Sequence, residues 1–189
     1  MKGISTATTP VQRISLEQIE QAGKILDLGA GGEGLVSRLE GRRVFAVDIE
    51  LQKIYEARIY PTESQWILAD ARKLCFRDST FDVATFWFSL GYFSDVYSKK
   101  AALQEVHRSL KRRGFLSILA AKITCSEDRL VFKTLLSFPS GIVSKIAYGL
   151  RGNQNQDVET ILQLVKDVGY QVTQSKEYEY WFRIEALKP

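Results

Sequence analysis

Apolar and polar positions along this chain change rhythm at regular intervals. Short apolar runs read as strands: KILDL (24–28), RVFAVDI (43–49), QWILADA (65–71), FDVATFWFSL (81–90) and FLSILAA (115–121), the last continuous enough for a strand covered on both faces. Between them lie stretches with apolar residues at helical spacing, EGLVSRLEG (33–41), ELQKIYEARIY (50–60) and KKAALQEVHRSLKRRG (99–114). The last is marked by Ala102, Leu103, Val106 and Leu110 and closes at Gly114. SLEQIEQAG (15–23) opens on a serine cap and stops at Gly23, which predicts a short first helix.

Strands that alternate with helices imply right-handed crossovers and a parallel sheet with helices on both sides. After the helix QDVETILQLVKDVG (156–169), YQVTQSKEY (170–178) and YWFRIEALK (180–188) follow with only a polar turn between them, an antiparallel hairpin. The expected fold is α/β: a Rossmann-like, doubly wound, seven-stranded and mostly parallel sheet in a three-layer αβα sandwich, ending in that hairpin. Residues 122–156 stand outside the rhythm. They read as two short amphipathic helices broken at Pro139 and Gly141, then a polar linker. The domain expectation is therefore a single domain, 1–189, with a helical lid-like insertion at about 122–156.

Composition narrows the partners only slightly. With 45% hydrophobic and 25% charged residues the chain reads as a globular protein, and its length suits one domain with a proper core. No apolar run approaches the roughly 18 residues that cross a bilayer, and MKGISTATTP lacks the apolar centre of a signal peptide. Two distant cysteines, Cys75 and Cys125, form neither a disulfide framework nor a metal knuckle, and the single His107 rules out a multi-histidine metal site. The expected location is cytoplasmic, with no metal. A formal charge of +4 mildly favours an anionic partner, and RSLKRRG (108–114) is its densest cluster, read first as a helix C-terminus.

The glycines of KILDLGAGGEG (24–34) carry the chemistry. Gly29, Gly31 and Gly34 satisfy G-x-G-x-x-G and Asp48 follows at the right distance, so a dinucleotide is one candidate ligand. Against it stand Asp27 at the strand end and Glu33 inside the loop. Two carboxylates would repel a pyrophosphate in a partly desolvated site. They suit a ligand that bears an ammonium and a sulfonium.

The blocks ILDLGAGGEG, VFAVDIE, ILADARKLCFRDSTFDVATFWFSLGYF and LQEVHRSLKRRGFLSIL, in this order, resemble the class I S-adenosylmethionine-dependent methyltransferases, in particular small stand-alone members. The resemblance spans roughly Ile25 to Ala121. It implies S-adenosyl-L-methionine as cofactor, with Asp27 holding the methionine ammonium and Gly29, Ala30 and Gly31 passing beneath the molecule. Asp48 would take both ribose hydroxyls, and Ile49 would pack on the adenine. Asp70 would accept the adenine amino group with the Ala71 amide near the ring, and Trp87 would line the methionine arm. Three acids at the ends of successive strands are hard to explain as three helix caps.

The chain departs from the family pattern in two places. Glu33 stands where the third loop glycine belongs, with Gly34 just after it. The usual LKPGG turn is LKRRG, so Arg112 and Arg113 replace a proline and a glycine. No residue announces itself as a general base, so no catalytic residue is assigned. Tyr92 in SLGYF is the candidate substrate contact, with Asp95 behind it; His107 reads as structural. The amine-methylating [DN]PP[YF] block is absent, and Thr124-Cys125-Ser126 lies too far along to serve as an RNA-cytosine nucleophile. The expected acceptor is a small molecule; an RNA or protein acceptor, or a regulatory subunit without turnover, are the alternatives. The apolar face of 122–156 fits a lid, a homodimer face or a membrane-surface contact.

Overall fold

Two short strands, β1 (Thr6–Thr8) and β2 (Gln12–Ser15), precede β3 (Ile25–Leu28), whose residues are buried throughout and centre the fold. The structure, a computed structural model, describes residues 3–189; the expected domain begins at Met1, and Met1 and Lys2 lie outside the described residues. β4 (Val44–Asp48), β5 (Gln65–Leu68), β6 (Phe81–Trp87) and β7 (Leu110–Ala121) follow, then β8 (Arg129–Ser137), β9 (Val143–Arg151), β10 (Gln171–Glu177) and β11 (Trp181–Leu187). The helices are α1 (Leu35–Glu40), α2 (Leu51–Ala57), α3 (Val96–Ser109) and α4 (Val158–Val168).

Seven strands form the large sheet in the order β10-β11-β7-β6-β3-β4-β5. β7 to β5 run parallel, and β11 pairs antiparallel with both β7 and β10. The chain leaves β3 toward β4 and β5, then returns to β6 on the other flank. That reversal opens a crevice beyond the carboxyl ends of β3 and β6. One face packs Leu26, Phe86, Ile118 and Ile184 against Leu103 and Val106 of α3 and Ile161 and Val165 of α4. The opposite face packs Ile25, Val44 and Val83 against Val36 of α1.

No helix joins β5 to β6. Residues 69–80 run irregularly, and α3 supplies their missing hydrogen bonds. Arg108 donates to the Phe76 and Leu74 carbonyls and to Asp78, and Glu105 accepts from the Leu74 amide. The basic cluster thus spends Arg108 on the fold. α3 stops at Ser109, earlier than the predicted Gly114, because Leu110 already pairs with Phe81.

Residues 122–156 hold no helix, contrary to the expected helical insertion. β8 and β9 form an antiparallel hairpin, and β8 also pairs in parallel with β1 and then β2 along its other edge. Pro139 and Gly141, the expected helix breakers, sit in its turn, closed by Phe138 N–H to the Ile142 carbonyl at 2.8 Å and Gly141 N–H to the Phe138 carbonyl at 2.9 Å. The apolar face of the hairpin is used inside the chain: Phe132, Leu136, Phe138 and Ile146 join Leu35 of α1 and Leu119, Ala121 and Trp181 of the large sheet. Only its tip, Ile142 and Val143, is strongly exposed.

The expected first helix at 15–23 is also absent. Leu16 donates to the Ser137 carbonyl in line with β2, and side chains satisfy the backbone beyond it. Ile19 N–H donates to Glu40, while Arg43 donates to the Ile19 and Gln21 carbonyls.

Candidate active site

Asp27, the penultimate residue of β3, is opposite Ala46 of β4 and Thr85 of β6 in register, at the crevice. Its side chain is 3% exposed and accepts a 2.6 Å hydrogen bond from the Thr85 hydroxyl. Burial pushes the carboxyl up to about 7; the Thr85 bond opposes the rise and the Asp48 charge adds to it. A buried carboxyl held at this edge is primed to meet a cation.

The glycine loop is held from β4. Gly29 takes φ +67°, and a Cβ there would stand 2.5 Å from Ser89 Cβ. Gly31 needs its missing side chain for another reason: a Cβ would approach Asp48 Oδ2 to 2.6 Å, where the Gly31 amide now donates at 2.8 Å. Gly29 and Ala30 donate to the Val47 carbonyl, Gly32 to the Lys53 carbonyl and Glu33 to the Gly31 carbonyl. Every amide from Gly29 to Glu33 is therefore engaged within the protein. A pyrophosphate reads free loop amides, so this loop does not match a dinucleotide.

The cofactor-binding residues expected from the sequence, together with Tyr92, line one cavity of about 420 Å³. Asp27, the loop Gly29 to Gly31, Asp48 with Ile49, Asp70 with Ala71, Trp87 and Tyr92 surround it. Asp48 Oδ1 also accepts the Glu50 amide, which fixes its rotamer. Ile49 and Tyr92 are each 59% exposed and flank the mouth. Trp87 donates its indole N–H to Ser117 at 3.1 Å, leaving the ring face for the cavity. Asp70 is gripped by Arg72, whose Nη2 lies 2.6 Å from Oδ2 and whose Nε and backbone N–H reach Oδ1. This pairing holds the carboxyl below the usual carboxylate range. Asp95 caps α3 by accepting the Ser98 amide, and it does not line the cavity. His107 packs edge-on against Tyr170, away from the site.

Among the lining residues that sequence reasoning did not assign to the site are Arg72, Phe88 and Ser89, while Tyr148 stood only on the apolar face of 122–156 that fitted a lid. Arg72 follows Asp70 by two positions and was legible as a possible partner. Phe88 sits at φ +61°, a conformation costing a bulky residue roughly 1–3 kcal/mol and typical of functional sites. That twist sends Ser89 toward Gly29 and the Phe88 ring toward the small sheet. Tyr148 arrives from β9 and stacks on Phe88 at 5.2 Å. No local signal marks Phe88 or Ser89; Tyr148 was marked only by the apolar content of 122–156.

The comparisons agree with this geometry. The family model described as a methyltransferase domain matches residues 26–118. The family match and the fold support a class I S-adenosylmethionine-dependent methyltransferase, with S-adenosylmethionine as the implied cofactor. It is 29% identical over 168 residues to a demethylmenaquinone methyltransferase of Thermotoga maritima, covering 79% of this chain and 71% of that protein. It is 26% identical over 135 residues to a ubiquinone/menaquinone biosynthesis C-methyltransferase of Roseobacter denitrificans, covering 65% of this chain and 52% of that one, about half its length. Its fold matches a SAM-dependent methyltransferase from Methanosarcina mazei with TM-score 0.69 at 18% identity, over 90% of this chain and 94% of that one.

Proposed function

We propose that this methyltransferase acts on a small apolar ring molecule carrying oxygen, a quinol-like acceptor, and that the carboxylates of the rim hold the cofactor. The observation that carries the reading is the two-ended cavity. Acids and the glycine loop line one end; Leu35, Phe88, Ile146 and Tyr148 line the other. Its volume falls in the roughly 300–1,000 Å³ of small-molecule sites. The names of two relatives point to quinone rings as acceptors.

The residues present fit the cofactor. Asp27 offers a buried carboxyl that an adjacent ammonium would hold ionised, and Asp48 keeps lone pairs on both oxygens for a diol. Ile49 offers an exposed apolar face beside the ring-binding acid Asp70. When bound, the cofactor supplies the electrophilic methyl group. The chain's own residues then align and exclude water: Trp87 and Phe88 wall the centre, and Tyr92 guards the mouth.

Calorimetric titration with S-adenosylmethionine and with S-adenosylhomocysteine tests the site, followed by a product assay over hydroquinones, phenols, carboxylates and RNA. Binding of both, with turnover confined to ring hydroxy compounds, is expected. Asp48→Ala should cost about 1–3 kcal/mol of cofactor affinity. Asp70→Ala should cost less, because Arg72 already occupies that carboxylate. Turnover on RNA alone overturns the acceptor; no binding at all overturns the site.

A further inference from the structure

Nine buried side-chain polar atoms lack a hydrogen-bond partner among the described residues, and two of them belong to residues that line the cavity: Ser89 Oγ and the Tyr148 hydroxyl. Ser89 packs against Gly29, at the glycine-loop end. Tyr148 enters from the small sheet, opposite. Its ring is only part-buried, yet its oxygen is sealed from solvent. The ring is clamped, stacked on Phe88 at 5.2 Å and 29° with Phe132 at 6.2 Å. Tyr92 and Glu33, the ionisable groups that act on the hydroxyl, line the same cavity, and neither bonds to it. Native interiors seldom leave a phenolic O–H dry and unpaired, because its desolvation is then uncompensated.

We propose that the Tyr148 hydroxyl donates a hydrogen bond to the oxygen of the methyl acceptor, so that the β8–β9 hairpin selects ring molecules bearing a hydroxyl or carbonyl over bare hydrocarbons. This rests on reading the cavity as the methyl-transfer site. The stacked Phe88 and Tyr148 rings supply the apolar surface for a flat guest, and the hydroxyl supplies the one directional contact. Burial keeps the phenol neutral, so it serves as a donor to a carbonyl or an ionised oxygen. Tyr148 is thereby a specificity-determining residue, carried by β9, more than a hundred residues after the glycine loop.

The test compares wild type and Tyr148→Phe, each saturated with S-adenosylhomocysteine, in binding 1-naphthol and naphthalene by quenching of intrinsic fluorescence. The substitution should weaken 1-naphthol by about five- to tenfold and leave naphthalene within about twofold. S-adenosylhomocysteine affinity should not change. The urea midpoint of the unliganded protein should stay or rise, since an unsatisfied group is removed. An unchanged 1-naphthol affinity, an equal loss for naphthalene, a lowered urea midpoint, or a wild type without preference for the naphthol each overturns the assignment. With S-adenosylhomocysteine still bound, such a result sinks the tyrosine's role alone; failure of S-adenosylhomocysteine to bind wild type sinks the site reading and this inference together.

Discussion

The two sheets of this molecule meet at one cavity but are built on different logic. The large sheet presents acids at the carboxyl ends of successive strands: Asp27 at the penultimate position of β3, Asp48 closing β4, Asp70 just beyond β5. The small sheet presents rings and aliphatic side chains, and its buried Tyr148 hydroxyl is unpaired. The first tolerates buried charge because strand and loop partners hold it. The second excludes charge and is pinned from outside. On the proposed reading, the acids of the large sheet would recognise the cofactor and the small sheet would contribute apolar surface for the acceptor, so the two should respond differently to mutation.

Asp27 offers the largest effect. Its folded-state carboxyl lies near 7 against an ordinary 3.8. The raised value means that folded protein binds the proton more tightly than unfolded chain does. Stability is therefore greatest below pH 4 as far as this group is concerned, falls as pH climbs to about 7, and levels above it. The drop amounts to roughly 4 kcal/mol at most. Asp27→Asn keeps an acceptor for the Thr85 hydroxyl and removes the charge. Urea unfolding at pH 8 should show the variant more stable by up to that amount, with a flatter profile between pH 4 and 7. Cofactor affinity should move the opposite way, falling sharply at pH 8, and wild-type affinity should rise from pH 5 to about 7. A variant that loses stability and keeps affinity would make Asp27 a structural residue.

The second prediction concerns what pins the small sheet. Arg38 of α1 lies between the Tyr60 and Phe138 rings, 4.2 and 4.1 Å from their centroids, and donates to Ser144 of β9 at 3.1 Å. It joins α1, the end of the α2 segment and both sides of the hairpin turn. Arg38→Ala should cost about 2 kcal/mol, from the desolvated cation–π contacts and the lost bond. Amide exchange should speed up on β8 and β9 while β3 and β4 stay protected. Equal acceleration in both sheets would mean that they open as one unit, erasing the distinction drawn above.

The contrast also explains what sequence could show. Acids at strand ends, helices ended by glycine and the last hairpin are local patterns, so the large sheet and its rim were legible. β8 was not. Its inward positions are Leu130, Phe132, Thr134 and Leu136, and the fully buried Thr134 breaks the apolar alternation. Val131 and Leu135 face outward, so Phe132, Leu135 and Leu136 mimic helical spacing. Its partners β1 and β2, TAT and QRIS, carry little apolar content and pair across more than a hundred residues. SLEQIEQAG has helix-compatible letters, yet Glu40 and Arg43 satisfy its backbone in extended form. Long-range partners decided both cases, and a window of neighbours contains none of them.

The smallest effect lies at the turn where the family pattern and this chain part. Arg113 takes φ +63°, the left-handed region, in the position where the family carries a glycine. Its amide donates to the Lys188 carbonyl at 2.8 Å, Lys188 N–H donates to the Gly114 carbonyl at 2.9 Å, and the Lys188 ammonium donates to the His107 and Leu110 carbonyls, so the turn is held without the Arg113 side chain. Arg113→Gly relieves about 1–2 kcal/mol of left-handed strain but gives the unfolded chain about 0.4–1 kcal/mol of extra entropy. A net gain of about 0.5–1 kcal/mol follows, or about 2 °C in Tm for a chain this size. β7 starts at this turn and runs toward the cavity, which lies at its other end, so cofactor affinity and turnover should not change. A Tm that falls would show the arginine side chain contributing more than its backbone costs. Altered turnover would link an edge of the sheet to the site at the opposite rim, and the division between a rim that binds and a frame that merely holds would fail there first.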